Sequence, residues 1–283
     1  MGFSSGTSWV ILNPMEKRIK EKIERVGVPL KNWDISINYG IKTGCNEAFI
    51  VNKQIRDDII AKDSKSAEII RPILRGRDIK RYGYEFAEQY VIATFPSKKY
   101  NIDDYPAVRD YLIKFGKQRI EQSGKPGARK KTNHKWFETS DTITYSDDFS
   151  KQKITWGNLN LNASYTLAPV NMFINAPATM IVPGDKFLLG VLNSKLADYF
   201  IRNLGVTRNG GYFEYKPMFV EKMPIPVPNP EERKTIELMV TEIMELKNTQ
   251  RDFSNIDIRL NRSVYELYHL TENEIEYMNA YVI

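Results

Sequence analysis

Tyr39-Gly40-Ile41-Lys42-Thr43-Gly44-Cys45-Asn46-Glu47-Ala48-Phe49-Ile50 reads as a glycine-hinged loop entering a short apolar strand. Gly40 and Gly44 allow the backbone to turn sharply or to approach another chain closely. A second segment follows, Arg71-Pro72-Ile73-Leu74-Arg75-Gly76-Arg77-Asp78-Ile79-Lys80-Arg81-Tyr82. It gathers Arg75, Arg77, Lys80 and Arg81 around Gly76, with Asp78 as its only acid. Guanidinium groups bind phosphate bidentately, so this cluster suits a phosphate backbone. A solvated basic loop is the competing reading of the same residues.

The two segments together resemble the TaqI-like C-terminal specificity domain. The first carries Gly40, Ile41, Thr43, Gly44, Asn46, Ala48 and Phe49; the second carries Pro72, Leu74, Gly76, Arg77, Asp78, Ile79, Arg81 and Tyr82. Further along, Lys135-Trp136-Phe137-Glu138, the Phe149 to Lys153-Ile154 spacing and Leu192-Asn193-Ser194-Lys195 follow the same family pattern. The family also carries an aromatic residue near Asn160 or Leu161, which this chain lacks. Such domains are the target-recognition parts of adenine-specific DNA methyltransferases and of fused type IIG restriction enzymes. The resemblance therefore implies that this chain reads DNA while catalysis resides upstream.

Composition sets the outer bounds. The chain has 283 residues, 42% hydrophobic and 12% aromatic, enough for a real core. Its formal net charge is +6, an excess that fits a nucleic-acid partner and equally an ordinary basic protein. Cys45 is the only cysteine, so an internal disulfide and a multi-cysteine zinc site are both excluded. Two histidines, His134 and His269, give no basis for metal ligation. The absence of a long apolar run and of a leader pattern reads as a cytoplasmic protein with no membrane partner. The Gly/Ser-rich opening, Met1-Gly2-Phe3-Ser4-Ser5-Gly6, reads as a linker, as though the chain were cut from a longer one.

Along the chain, Trp9-Val10-Ile11-Leu12 is a short apolar run, and a charged helix is expected from Met15 to Val26. Leu30, Trp33, Ile35 and Ile37 lead by alternation into the first key loop. A short helix is expected over Ile55–Ala61, buried strands over Gln89–Phe95 and Lys153–Trp156, and a helix from Pro106 through Phe115. Met172–Asn175 and Thr179–Val182 read as a strand pair, and a single helix is expected from Phe187 to Asn203. Met223-Pro224-Ile225-Pro226-Val227-Pro228 is a stiff extended connector. Asn229-Pro230-Glu231-Glu232 then supplies a cap and first turn, and Thr271 to Glu274 a second capping box. The expected fold is α+β: a mixed, largely antiparallel sheet with flanking helices over residues 1–222. A proline-rich connector and helical region follow over 223–283.

Between Lys114 and Lys135 lies the most basic stretch, with Glu121 as its only acid. It is either a solvated mobile loop or an electrostatic clamp on DNA. Gly205-Val206-Thr207-Arg208-Asn209-Gly210-Gly211-Tyr212-Phe213 is a second glycine hinge. Arg208 and Asn209 suit guanine and adenine edges in a major groove, and a structural turn is the alternative. Loop position and residue type make Arg75, Arg77, Lys80, Arg81, Lys125, Arg129, Lys130, Lys131 and Lys135 the candidate phosphate contacts. By the same criteria Lys42, Thr43, Asn158, Asn160, Arg208, Asn209 and Tyr212 are the candidate base readers.

Catalytic groups are missing from the sequence. The resemblance implies a methyltransferase loop of the Asn/Asp-Pro-Pro-aromatic type, and none occurs. The nuclease-like Glu232-Arg233-Lys234 lacks its preceding Pro-Asp, and helix capping already accounts for Glu232. No catalytic residue, metal site or cofactor is therefore expected in this chain. S-adenosylmethionine and Mg belong, by the resemblance, to the parent enzyme. The expected partners are double-stranded DNA and an upstream methyltransferase domain or a methyltransferase subunit. A different reading follows from the proline-rich entry into the C-terminal helix, which resembles type I restriction specificity subunits: half of a scaffold serving separate methyltransferase chains.

Overall fold

In the computed structural model, residues 13–205 and 207–281 are described. The opening Gly/Ser segment and Trp9-Val10-Ile11-Leu12 lie outside them, as does Val206 of the second glycine hinge. Strand alternation organises the core. Tyr165–Ala168, Lys153–Trp156, Thr179–Val182 and Ser36–Tyr39 form, in that order, an antiparallel sheet. One face of it sends Ile154, Trp156, Tyr165, Leu167 and Ile181 into a large core shared with helices. Its other face sends Ala168, Met180 and Val182 toward a second sheet.

Phe173–Ile174, Ile70–Leu74, Gln89–Ile92 and Ile50–Asn52 make that second sheet. Only the pair of Phe173–Ile174 with Ile70–Leu74 is parallel. Ile73, Leu74, Val91 and Phe173 face the first sheet, whereas Val51, Ile70 and Ile92 face the helices Lys53–Lys62 and Pro106–Ile120. The result is helix, sheet, sheet, helix: the α+β architecture with a mixed, largely antiparallel sheet that the sequence implies.

Gly40 and Ile41 stitch the two sheets together. Gly40 N–H donates to Ala178 O at 2.8 Å and Ile41 N–H to Ile174 O at 2.7 Å, while Ala176 N–H donates to Ile41 O at 3.0 Å. A Cβ at position 40 would lie 2.6 Å from both the Asn175 carbonyl carbon and the Ile174 oxygen. Only glycine fits this crossing.

Most helices start where their caps sit. Asn13 and Asn229 each accept amide hydrogens at N2 and N3, while Glu16 and Glu232 reach back to the cap amide. These boxes open Pro14–Val26 and Pro230–Asn248. The helix expected at 187–203 is instead two, Lys186–Leu192 and Lys195–Leu204. Asn193 breaks it, because its side chain satisfies Tyr165 N–H at 2.9 Å and Tyr165 O at 3.0 Å. Ser194 then caps the second helix through Ala197 N–H.

Two corrections concern strands. Phe173–Ile174 and Thr179–Val182 are not paired, since they belong to different sheets. The first key segment does not enter its strand directly, because Asn46–Phe49 makes a helical turn before Ile50–Asn52. The connector is extended as expected, and its Pro224–Ile225 pairs with Val28–Pro29.

The C-terminal helices Pro230–Asn248 and Ser254–Leu267 pack against each other, with Ile236, Val240 and Leu260 of theirs set against Gly190 of the helix Lys186–Leu192. Ile236, Met239, Val240, Ile243, Leu260 and Val264 share one core with Ile154 and Trp156, so the core runs across positions 222 and 223. At about 1.5–3 kcal/mol per fully buried aliphatic side chain, that burial fixes the tail onto the helix Lys186–Leu192. Among the described residues, no helix is long and apolar enough to cross a membrane.

Gly40→Ala is expected to lower unfolding stability by about 2–3 kcal/mol, because its Cβ meets fixed backbone rather than a movable side chain. Urea titration followed by circular dichroism measures this. A change under about 0.5 kcal/mol would show that the crossing can open to admit a methyl group.

Candidate nucleic-acid interface

Register places several loops at one end of the sandwich. Tyr39, Thr179, Trp156 and Tyr165 stand side by side at the edge of the first sheet. Leu74 ends its strand beside Asn175, whose N–H donates to Leu74 O at 2.8 Å. The turn after Leu74 brings Gly76 against Gly157, where a Cβ on Gly76 would be 3.8 Å from the Gly157 Cα. Loops after residues 39, 74 and 156 therefore converge.

A two-stranded ribbon completes this end, with Phe213 opposite Asn160 and Glu214 opposite Leu159. Arg208 N–H donates to Tyr212 O at 2.7 Å, closing a loop in which Gly210 and Gly211 both have φ +78°. That left-handed backbone explains the paired glycines. The ribbon exposes Leu159, Leu161 and Tyr212, with Tyr39 exposed on the neighbouring sheet edge. Asn209 and Arg208 are exposed beside them.

Buried polar groups hold the ribbon from beneath. Asp198, Arg202 and Tyr215 are all buried. Asp198 accepts from the Tyr215 hydroxyl, from Arg202 Nε at 3.1 Å and from Ala163 N–H at 3.2 Å. Arg202 Nη2 donates to Leu161 O and Asn162 Oδ1, each at 2.5 Å, and its guanidinium lies 4.2 Å from the centre of the Phe213 ring. Burial pushes the Asp198 carboxyl up, partly offset by the bonds from Tyr215 and Arg202. Tyr215 N–H donates to Asn158 O at 2.8 Å and Trp156 Nε1 to Tyr215 O at 2.6 Å. The loop over residues 157–163 is thus fixed on one helix, Lys195–Leu204.

The sixteen candidate residues separate by environment. Lys42, Arg77, Lys125, Lys130, Lys131 and Lys135 are exposed, and none has a carboxylate partner among the described residues. Asn158 and Asn160 are half-buried at the converging end: Asn158 Oδ1 accepts from Thr179 Oγ1, and Asn160 Nδ2 donates to Gly157 O. Thr43 is fully buried; its Oγ1 accepts from Cys45 N–H at 3.1 Å and its carbonyl accepts from Arg129.

Four cations turn inward or sideways. Arg129 is 4% exposed and donates to the carbonyls of Ile120, Thr43 and Trp136 at 2.6, 2.6 and 2.7 Å, with Phe49 beneath it. Burial pushes its guanidinium down to about 10, still protonated near neutrality. Arg81 forms a two-pronged pair with Asp257 at 2.9 and 2.6 Å and donates to Asn193 O. Arg75 is held on Asp78 by two bonds of 2.8 Å. Burial raises the Asp78 carboxyl, and the Arg75 side-chain and amide hydrogen bonds outweigh it. Lys80 bonds Arg77 O and faces Glu85. In these positions Arg81 and Arg129 brace the fold.

The basic stretch is tied to the segment that follows Ile41. Arg129 ties it to Thr43, and Asp141 N–H donates to Lys42 O at 3.3 Å. Elsewhere surface charges pair along helices, as in Lys17–Glu21 and Lys20–Glu24. Lys114, Lys117, Arg119, Lys125, Lys130, Lys131 and Lys135 form no such pair among the described residues. Uncompensated cations of this kind concentrate counter-anions and bind polyanions. Among the described residues, no group of acids, histidines and cysteine could hold a metal ion.

Leu159, Leu161, Asp198, Arg202 and Glu214 escape a reading by residue type. Of these, only Asp198 and Arg202 leave a local trace, an acid and a base four residues apart in a helical stretch.

Residues 71–225, over half of the chain, match the family model described as the TaqI-like C-terminal specificity domain. The fold is similar to that of the type IIL restriction-modification enzyme MmeI in complex with DNA, with a TM-score of 0.64 at 15% identity. That likeness covers 89% of this chain and 35% of MmeI. The type IIG restriction endonuclease BpuSI is similar with a TM-score of 0.54 at 13% identity, over 90% of this chain and 32% of its own. At these identities the likeness is one of fold, and the chain spans about a third of either enzyme's length. Comparison with the curated proteins finds no match.

Stability and polyanion binding should divide between neighbouring cations. Arg129→Ala strands three carbonyls and is expected to cost at least about 3 kcal/mol in urea titration. Lys130→Ala with Lys131→Ala is expected to leave stability within about 0.5 kcal/mol. The same pair should flatten the slope of log affinity for duplex DNA against log salt by up to about 2. An unchanged slope would remove the basic stretch from the interface.

Proposed function

We propose that this chain, which belongs to the TaqI-like C-terminal specificity domain family, recognises double-stranded DNA by sequence within a restriction-modification enzyme. It places the target adenine for an adenine-N6 methyltransferase domain upstream in the parent enzyme, to which an endonuclease is fused. S-adenosylmethionine and Mg act in those parts, and this chain contributes binding alone. Residues 1–222 carry the reading function, and 223–283 serve as connector and helical support. The parent enzyme works in the cytoplasm.

The observation that carries this reading is the convergence of the exposed ribbon with the loops after residues 39, 74 and 156 at one end of the sandwich. A two-stranded ribbon fits a major groove, where base edges differ in donors, acceptors and methyl groups. Asn158, Asn160, Arg208, Asn209 and Tyr212 supply side chains for such edges, and Lys42 stands beside them over Tyr39. Arg77 and Lys125, Lys130, Lys131 and Lys135 hold phosphates on either side. Thr43, Arg75, Lys80, Arg81 and Arg129 shape the loops from within. Leu238 and Ile258, exposed apolar residues on the C-terminal helices, favour a second reading as a type I scaffold that docks methyltransferase chains.

Selection of this chain against a duplex pool of random sequence at low salt, followed by sequencing, tests the proposal. The expected outcome is an enriched motif over a nonspecific background of roughly 10⁻⁴–10⁻⁶ M at physiological salt. Retention without a motif would confine the chain to phosphate contact. No retention would favour the scaffold, and methyl transfer to DNA by this chain alone would contradict the assignment outright.

A further inference from the structure

Glu214 is a buried carboxylate, 4% exposed, that holds two cations. Its Oε1 accepts from Arg208 Nε at 2.6 Å and also contacts Arg208 Nη2; its Oε2 accepts from Lys216 Nζ at 2.7 Å. Hydrogen bonds from Lys216 and then Arg208 hold the Glu214 carboxyl below the usual range, so it is ionised at neutral pH. The strand carrying Glu214 cannot shift easily. It pairs with Leu159, and the next residue, Tyr215, is fully buried and bonded to Asn158 O and Asp198.

Arg208 has the opposite character. It lies on the loop of Gly210 and Gly211, and its side chain is 54% exposed. Without an anchor, a long side chain on such a loop samples many rotamers and loses that freedom on binding. Glu214 removes the freedom beforehand. A guanidinium has five N–H donors, and Glu214 occupies the edge formed by Nε and Nη2. The end formed by Nη1 and the second Nη2 hydrogen is left to pair with an acceptor couple such as guanine O6 and N7. Lys216 completes the arrangement, because two cations on one acid leave a net positive cluster beside DNA.

Building on the reading above, we propose that Glu214 is a specificity-positioning residue that holds Arg208 to read a single guanine, with Lys216 keeping the cluster cationic. The test uses the full 283-residue chain against the random duplex pool. Arg208→Ala and Glu214→Gln should lose the preference for guanine at the same base pair, by about tenfold or more. Preferences at other positions should remain, and the double variant should match Arg208→Ala alone. Arg208→Lys, a change on an exposed side chain that does not endanger the fold, should lose the same preference because an ammonium cannot bind bidentately.

A wild-type motif from Glu214→Gln, or uniform loss at all positions, would overturn the positioning role. Guanine preference retained by Arg208→Lys or Arg208→Ala would overturn it as well. Should the wild-type chain enrich no motif, the sequence-reading function itself fails and this inference falls with it. The wild-type experiment therefore separates the two failures.

Discussion

The backbone crossing at Gly40 and Ile41 is the constraint on which the rest depends. One short segment leaves the first sheet, bonds to Ala178 and Ile174, and passes so close to Asn175 that no side chain fits. Because those bonds link the sheets at one end, the loops after residues 39, 74 and 156 have to emerge together. A candidate interface made of three distant stretches of sequence is a consequence of that single approach. The helices on either side then need only bury the outer faces, which their apolar stripes do.

Charge inside the molecule and charge outside it do different work. Arg129, Arg81 and Arg202 each satisfy carbonyls or carboxylates that the loops would otherwise leave unpaired. They are held at fixed positions, and breaking them exposes buried acceptors rather than removing a surface contact. Lys42, Arg77, Lys130 and Lys131 have no such partners among the described residues, so their field is available to a polyanion. A buried frame of arginines beneath an exposed layer of lysines lets the loops be rigid and basic together.

Much of the local structure was legible from sequence, because its causes lie within a few residues. The cap at Asn229 and the strand Lys153–Trp156 needed only neighbouring residues to be read. Sheet partners were harder. Phe173–Ile174 and Thr179–Val182 look like a hairpin, yet their hydrogen bonds go to Ile70–Leu74 and to Ser36–Tyr39 and Lys153–Trp156. Asn193 ends a helix for a reason that lies at Tyr165. The candidate interface shows the same division. Residue type marked Arg81 and Arg129 as basic, but only the fold reveals that Asp257 and three carbonyls already claim them. Glu214 could not be singled out, because its importance comes from the ribbon that sets it beside Arg208.

Amide hydrogen exchange on the full chain, with and without duplex DNA, tests most directly whether this end of the sandwich is the DNA-reading surface. New protection is expected at residues 75–78, 157–164 and 207–215, with the C-terminal helices unchanged. Protection confined to the helices Lys53–Lys62 and Pro230–Asn248, with the ribbon exchanging as before, would place the interface elsewhere and contradict that reading.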